Sequence, residues 1–232
     1  MTREIILDTE TTGLDPRSGH RVIEIAALEL VNRFPTGEKF HEYINPEREV
    51  PNDAEAVHGL STEFLKDKPV FADLSERFAE FIGDAPLVIH NAPFDVGFLN
   101  AELARVNGPI IGMERVVDTL MLARRKHPAG PNSLDALCKR YQIDRSERTK
   151  HSALLDCKLL IEVYLHLIGG HQARLELVGK GHAETRRTGR RRSKVAVRPR
   201  VLPSRLSEAE IAAHDAFVKT LKDPIWVELK DD

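Results

Sequence analysis

The sequence predicts an α/β layered domain, a mixed sheet covered by helices. Three observations carry this. Strand-like segments come first, helical and strand-like patterns alternate after them, and the segments end at turn residues. Glu4–Thr9 is largely apolar and reads as the first strand. Val22–Val31 fits a helix on periodicity alone, but its Ile and Val content and its neighbours favour a strand. Lys39–Ile44 reads as a third. Helical patterns follow at Ser61–Leu65 and Phe71–Ile82. The short apolar strand Leu87–Ile89 leads into a helix that begins near Phe94 and reaches Val106. Ser133–Tyr141 and Ser152–Ile168 complete the series, and Gly169-Gly170 is a helix stop.

At 232 residues the chain suits one sizeable domain with appendages. Its 41% hydrophobic and 30% charged content reads as soluble and globular. No stretch approaches the roughly 18 apolar residues of a membrane span, and Met-Thr-Arg-Glu is not the start of a signal peptide. The expectation is a cytoplasmic protein without a membrane partner. Cys138 and Cys157 match neither a zinc pattern nor a disulfide framework, and read as small buried side chains on helices.

The net charge of −2 conceals an asymmetry. Residues 180–205 carry ten basic side chains against Glu184 alone, a net of +9. Residues 206–232 carry −4, which leaves −7 for the chain before residue 180. The basic stretch has too few large apolar residues to offset its ordering entropy. It reads as a flexible linker, either gripping nucleic-acid phosphates or acting as a solvated tether. Beyond it, Ser207 and Glu210 form a capping-box pattern, opening a helix that could run through Lys222 until Pro224. That piece is too small for a core of its own. Docking back is possible, but the long linker favours binding to a partner. The expected organisation is a domain over 1–179, a linker over 180–205 and a partner-binding segment over 206–232.

Candidate chemistry begins in ILDTETTG, residues 6–13. On a strand, Asp8 and Glu10 share one face with Ile6, with Cα atoms about 6.5–7 Å apart. Two converging carboxylates oppose each other's ionisation, and a hard divalent cation is the usual remedy. The bland reading is a strand that ends with both acids solvated. In HNAPFD, residues 90–95, Asp95 falls in the first turn of a helix, where its dipole alone would justify an acid. In HSALLD, residues 151–156, His151 and Asp156 would stand about 140° apart if both were helical. His151 is therefore expected at or before the helix start on more mobile chain, with Asp156 fixed on the helix. A fixed acid beside a movable imidazole suits a metal ligand and a general base.

In order and spacing, LDTETTG, HNAPFD and HSALLD resemble the three motifs of the DEDD-type 3′–5′ exonucleases that carry a histidine in the third motif. The likeness is greatest to members that proofread for a bacterial replicative polymerase, and spans about Ile5 to Gly170. It implies a ribonuclease-H-like fold with a mixed five-stranded sheet. It makes Asp8, Glu10 and Asp156 direct or bridging ligands of two Mg²⁺ or Mn²⁺ ions, with Asp95 completing the acidic set. His151 becomes the base that activates water. The backbone around Thr11 and Thr12, with Asp53, His58, Asn91 and Phe94, would line the pocket for the terminal nucleotide. Phe94 taken alone is more often core than a stacking surface, and His58 is as readily a structural hydrogen-bonding group.

The expected substrate is a single-stranded 3′ end of DNA. Leu206–His214 looks like the family's tether to the polymerase (alpha) subunit, so residues 206–232 are expected to bind it. Val178–Ala183 lacks the glutamine and aromatic residue of the family's sliding-clamp peptide, and the sequence does not support clamp binding. Two rivals stand beside the proofreading nuclease: a related nuclease acting on RNA ends or in repair, and a tethering subunit with an idle site.

Overall fold

A computed structural model describes residues 2–146, 148, 150–169 and 207–221. Two compact units divide the chain, Met1–Glu176 and Leu177–Asp232.

In the first unit, β1 (Arg3–Thr11) lies at the centre of a five-stranded sheet of order β3-β2-β1-β4-β5. β2 (Val22–Val31) runs antiparallel to it, from Arg3 opposite Val31 to Thr11 opposite Val22. β3 (Phe34–Tyr43) pairs antiparallel with β2, while β4 (Leu87–Ile89) and β5 (Val116–Asp118) add in parallel on the other side. This is the mixed five-stranded sheet expected above.

Alternation along β1 divides the core. Ile5 and Leu7 meet Leu87, Ile89 and the helices α3 (Phe71–Ile82) and α4 (Ala92–Arg105). Ile6, with Ala26, Leu30 and Val88, meets α5 (Thr119–Lys126), α6 (Leu134–Tyr141) and α7 (Ala153–Leu167). α3 buries Phe71, Leu74, Phe78 and Ile82 at helical spacing, each worth about 1.5–3 kcal/mol relative to exposure. Cys138 and Cys157 are free and buried, as expected. The Cys157 thiol donates to the Ile6 and Ala26 carbonyls of neighbouring strands.

The structure departs from the sequence reading in identifiable places. β1 does not end at Thr9 but continues through Glu10 to Thr11. β3 begins at Phe34 rather than Lys39, because Asn32 and Arg33 have φ of 52° and 71°, the left-handed pair that a tight two-residue hairpin needs. Pro35 and Gly37 mimic a longer turn, yet are tolerated on an edge strand. The short α1 (Asn52–His58) and β5, and the helix α5, lacked a readable pattern. α2 (Thr62–Leu65), α3, β4, α6 and α7 fall within a residue of the expected bounds.

In the second unit, α8 (Glu208–Val218) opens on the expected capping box: Ser207 accepts from the Glu210 amide and Glu210 from the Ser207 amide. It stops at Val218 rather than Lys222. Ile211 and Phe217 are exposed. The basic linker 180–205, the segment Val178–Ala183 and the apolar residues from Ile225 onward lie outside the described residues. No helix of the described residues is long and apolar enough to cross a membrane.

Candidate active site

β1 outruns its parallel neighbour. Only Ile5 and Ile6 pair with β4, so the strand's edge beyond Ile6 is open on that side. The resulting crevice lies at the carboxyl ends of β1 and β4, where the chain passes from one half of the sheet to the other, a usual position for ligands in α/β sheets.

Both helical layers deliver an acid to this gap. From α4, buried Asp95 accepts from the Thr9 amide and hydroxyl, at 3.0 and 2.8 Å, and so uses a backbone donor that β4 is too short to satisfy. From α7, buried Asp156 sits in the first helical turn, its amide donating to the Ser152 carbonyl. Asp8 and Glu10 approach from β1 on the face shared with Ile6. His151 precedes the helix, with Nδ1 3.3 Å from Asp156 Oδ2. Its side chain is half exposed, but its amide donates to the Val57 carbonyl at 3.2 Å. The main chain that the sequence suggested would be mobile is thus tied down, and freedom is left to the imidazole.

One cavity of about 730 Å³ gathers Asp8, Glu10, Asp95, His151 and Asp156, with Asn91 and Phe94 on its wall. Glu10, His151 and Asp156 can each offer a ligand atom within 4.8 Å of the others. Burial, followed by repulsion from Asp95, Asp156 and Glu10, pushes the Asp8 carboxyl well above its ordinary value. Burial and then Asp156 raise Glu10 to about 8. Burial raises Asp95 to about 7 against the two Thr9 hydrogen bonds, which favour its anion. Acids driven towards protonation by desolvation and by one another form a donor set fitted to a hard divalent cation.

Arg148 supplies the positive charge in this structure. Its guanidinium donates to both Asp156 oxygens, to Asp135, and to His151 Nδ1 at 2.8 Å. Burial disfavours the Arg148 charge, yet its carboxylate partners prevail and raise its pKa.

The remaining candidates are placed differently. Phe94 lines the cavity and also packs on Phe98, with ring centroids 5.0 Å apart, so it is both wall and core edge. Asn91 is exposed, in the left-handed region, and its amide donates to Asp118. Thr11, Thr12, Asp53 and His58 do not line the cavity. The Thr11 hydroxyl donates to the Gly13 carbonyl. The Thr12 amide donates to the Arg21 carbonyl, and its hydroxyl accepts from the Arg21 amide. Those groups hold the turn after β1. Asp53 is exposed in the first turn of α1. Buried His58 accepts the Leu60 amide at Nδ1, which assigns the neutral ring's proton to Nε2, and that atom has no partner among the described residues.

The sequence reading missed Arg148, Glu24, His90 and Arg124. Arg148, His90 and Arg124 line the cavity. His90 sits inside a quoted motif, and Glu24 interrupts an apolar strand as conspicuously as Asp8 does. Nothing distinguished Arg148 or Arg124 from solvated basic residues.

Comparison with known proteins agrees with this fold. The exonuclease (RNase T) family model matches residues 5–164. A Rickettsia felis protein named DNA polymerase III subunit epsilon is 54% identical over 181 residues, covering 77% of this chain and 79% of that protein. The Escherichia coli K12 protein of the same name is 44% identical over 226 residues, covering 93% and 92%. Among solved structures, exonuclease X in complex with 5′-overhanging duplex DNA superposes with a TM-score of 0.56 at 24% identity, over 72% of this chain and 92% of that one. The nuclease domain of 3′hExo, a DEDDh family member bound to rAMP, gives 0.62 at 15% identity, over 72% and 92%.

Proposed function

The chain belongs to the exonuclease family, in the line of DNA polymerase III epsilon subunits, and from that premise we propose how its residues act and where. It is a divalent-metal-dependent 3′–5′ exonuclease. The proposed role is proofreading, the removal of mismatched 3′-terminal nucleotides from single-stranded DNA ends. The carrying observation is the convergence of four acids and His151 on one cavity.

Asp8, Glu10 and Asp156 would hold two Mg²⁺ or Mn²⁺ ions directly, with Asp95 completing the set from its anchor on Thr9. Such a pair, when bound, supplies charge stabilisation at the phosphate and support for the leaving 3′-oxygen. His151 takes the proton of the attacking water, and its half-exposed ring passes that proton to solvent. The terminal nucleotide rests against Asn91 and Phe94. Thr11, Thr12, Asp53 and His58 are proposed as further contacts on the family resemblance, and the unpartnered Nε2–H of His58 is a donor suited to one.

The nuclease domain is assigned to 1–179. Residues 206–232, including α8 with its exposed Ile211 and Phe217, would bind the polymerase (alpha) subunit, and 180–205 would serve as tether. Subunit status in the relatives' names supports this assignment. Association with a sliding clamp is not proposed.

Asp8→Ala removes one shared carboxylate from the cavity. Digestion of a 3′-labelled single strand in Mg²⁺ is expected to fall at least about a thousandfold with the fold retained; near-normal activity of the purified variant would reject the site.

A further inference from the structure

Glu24 is a fifth acid at this site, 1% exposed, on β2 directly opposite Glu10. Cross-strand partners on one face stand about 4.5–5.5 Å apart at Cβ, and like charges there are destabilising. The Glu24 charge adds to the repulsion on both Asp8 and Glu10. The fold therefore keeps an acid where an acid is costly.

Its hydrogen bonds point to a use. Glu24 Oε2 accepts the Ala153 amide at 3.2 Å, one of the orphan donors at the start of α7. Oε1 accepts the Ser152 hydroxyl at 3.2 Å and lies 2.8 Å from His41 Nε2. Ser152 occupies the N-cap position, yet its side chain makes no capping bond, because its hydroxyl turns to Glu24 instead. A serine could cap this helix without adding charge to the site. The Glu24 carboxylate does what a local cap cannot: it fastens the first turn of α7 to the strand paired with β1. The residues it grips immediately follow His151 and lie one turn before Asp156.

We propose that Glu24 is a positioning residue that sets the spacing between Glu10 on β1 and His151 and Asp156 on the third motif. It touches neither substrate nor metal, and acts through Ser152 and Ala153. The proposal rests on the exonuclease reading of the cavity, and wild-type digestion of DNA in the same assay tests that reading separately.

Full-length Glu24→Ala, Glu24→Gln and Ser152→Ala, with wild type, are compared on a 3′-labelled single strand in Mn²⁺ at matched folded concentrations. Displacing reacting groups by about 1 Å can cost on the order of a hundredfold in rate. Glu24→Ala is expected to lose roughly ten- to a hundredfold in kcat, with KM for DNA within about twofold. Glu24→Gln retains a carbonyl for the Ala153 amide and is expected to recover to within about threefold of wild type. A purely architectural role would lower thermal stability in both variants while leaving kcat per folded molecule unchanged. The proposal is overturned if Glu24→Ala turns over normally, if its loss lies in KM, or if Glu24→Gln is as slow as Glu24→Ala. Should Glu24→Ala fail to fold, Ser152→Ala decides: a loss of about threefold or more in kcat with KM unchanged supports positioning, and normal turnover overturns it. Inactive wild type would instead defeat the exonuclease reading.

Discussion

Asp156 cannot give the same two oxygens to the Arg148 guanidinium and to a divalent ion. Both partners are nearly buried, with side chains 8% and 6% exposed, so solvent does little to weaken the pair. Arg148 also reaches His151 Nδ1, so its withdrawal would release the acid and the imidazole together. Arg148→Met keeps much of the side-chain volume and removes the charge. In EDTA this variant is expected to lose about 2 kcal/mol, because a buried carboxylate among like charges is left unpaired. Its Mn²⁺ affinity, read by titration calorimetry, is expected to rise about tenfold as the competitor disappears. Weaker Mn²⁺ binding would show that Arg148 supports the loaded site rather than competing for it. The five residues that meet in the cavity were legible because each stands where an acid or histidine fits its element poorly or marks a helix start. Arg148 was not, since an arginine in a polar stretch has no signature until the fold brings it to Asp156.

At the scale of elements, legibility followed the size of the buried face. α3 buries one apolar stripe and matched its expected bounds, and β4 is a buried apolar triplet between turn residues. β5 is equally short but ends in Asp118, which pairs with Ile89 of β4 and also caps α5 through the Leu120 and Met121 amides. The same carboxylate accepts the Asn91 amide, so it also steadies the entry to α4. These are tertiary facts, absent from local pattern. α8 was legible for the opposite reason, because a capping box is wholly local. Its exposed Ile211 and Phe217 give it an element-scale prediction. Truncation after residue 180 is expected to leave digestion of a 3′-labelled strand within about twofold of the full chain and to abolish co-elution with the polymerase alpha subunit. Retained co-elution would place the contact on the nuclease domain.

Across the whole molecule, the acidic cavity couples folding to pH and metal. In the unfolded chain Glu10 and Asp95 titrate near about 4, whereas in the fold they are raised to about 8 and about 7. Between those limits the folded protein binds more protons than the unfolded chain, so metal-free stability declines as pH rises through the window. Each proton of difference is worth about 1.4 kcal/mol per pH unit. His58 and His90 act in the other direction: burial lowers both, so acidification below about 6.5 favours the unfolded chain. Metal-free stability is therefore expected to fall as pH rises from about 6 to about 8. Divalent cation reverses the alkaline limb, because its ligands must be deprotonated to bind. Mn²⁺ at a hundredfold excess over its Kd adds about 2.7 kcal/mol, and the gain in thermal midpoint over EDTA should widen from pH 6 to pH 8. Asp95→Asn keeps the shape and cannot ionise, so the alkaline decline in EDTA should be shallower. Thermal melts of both proteins across pH 5–8 provide the check, and a metal-free midpoint that rises steadily to pH 8 in wild type would mean that the carboxyls are ionised throughout.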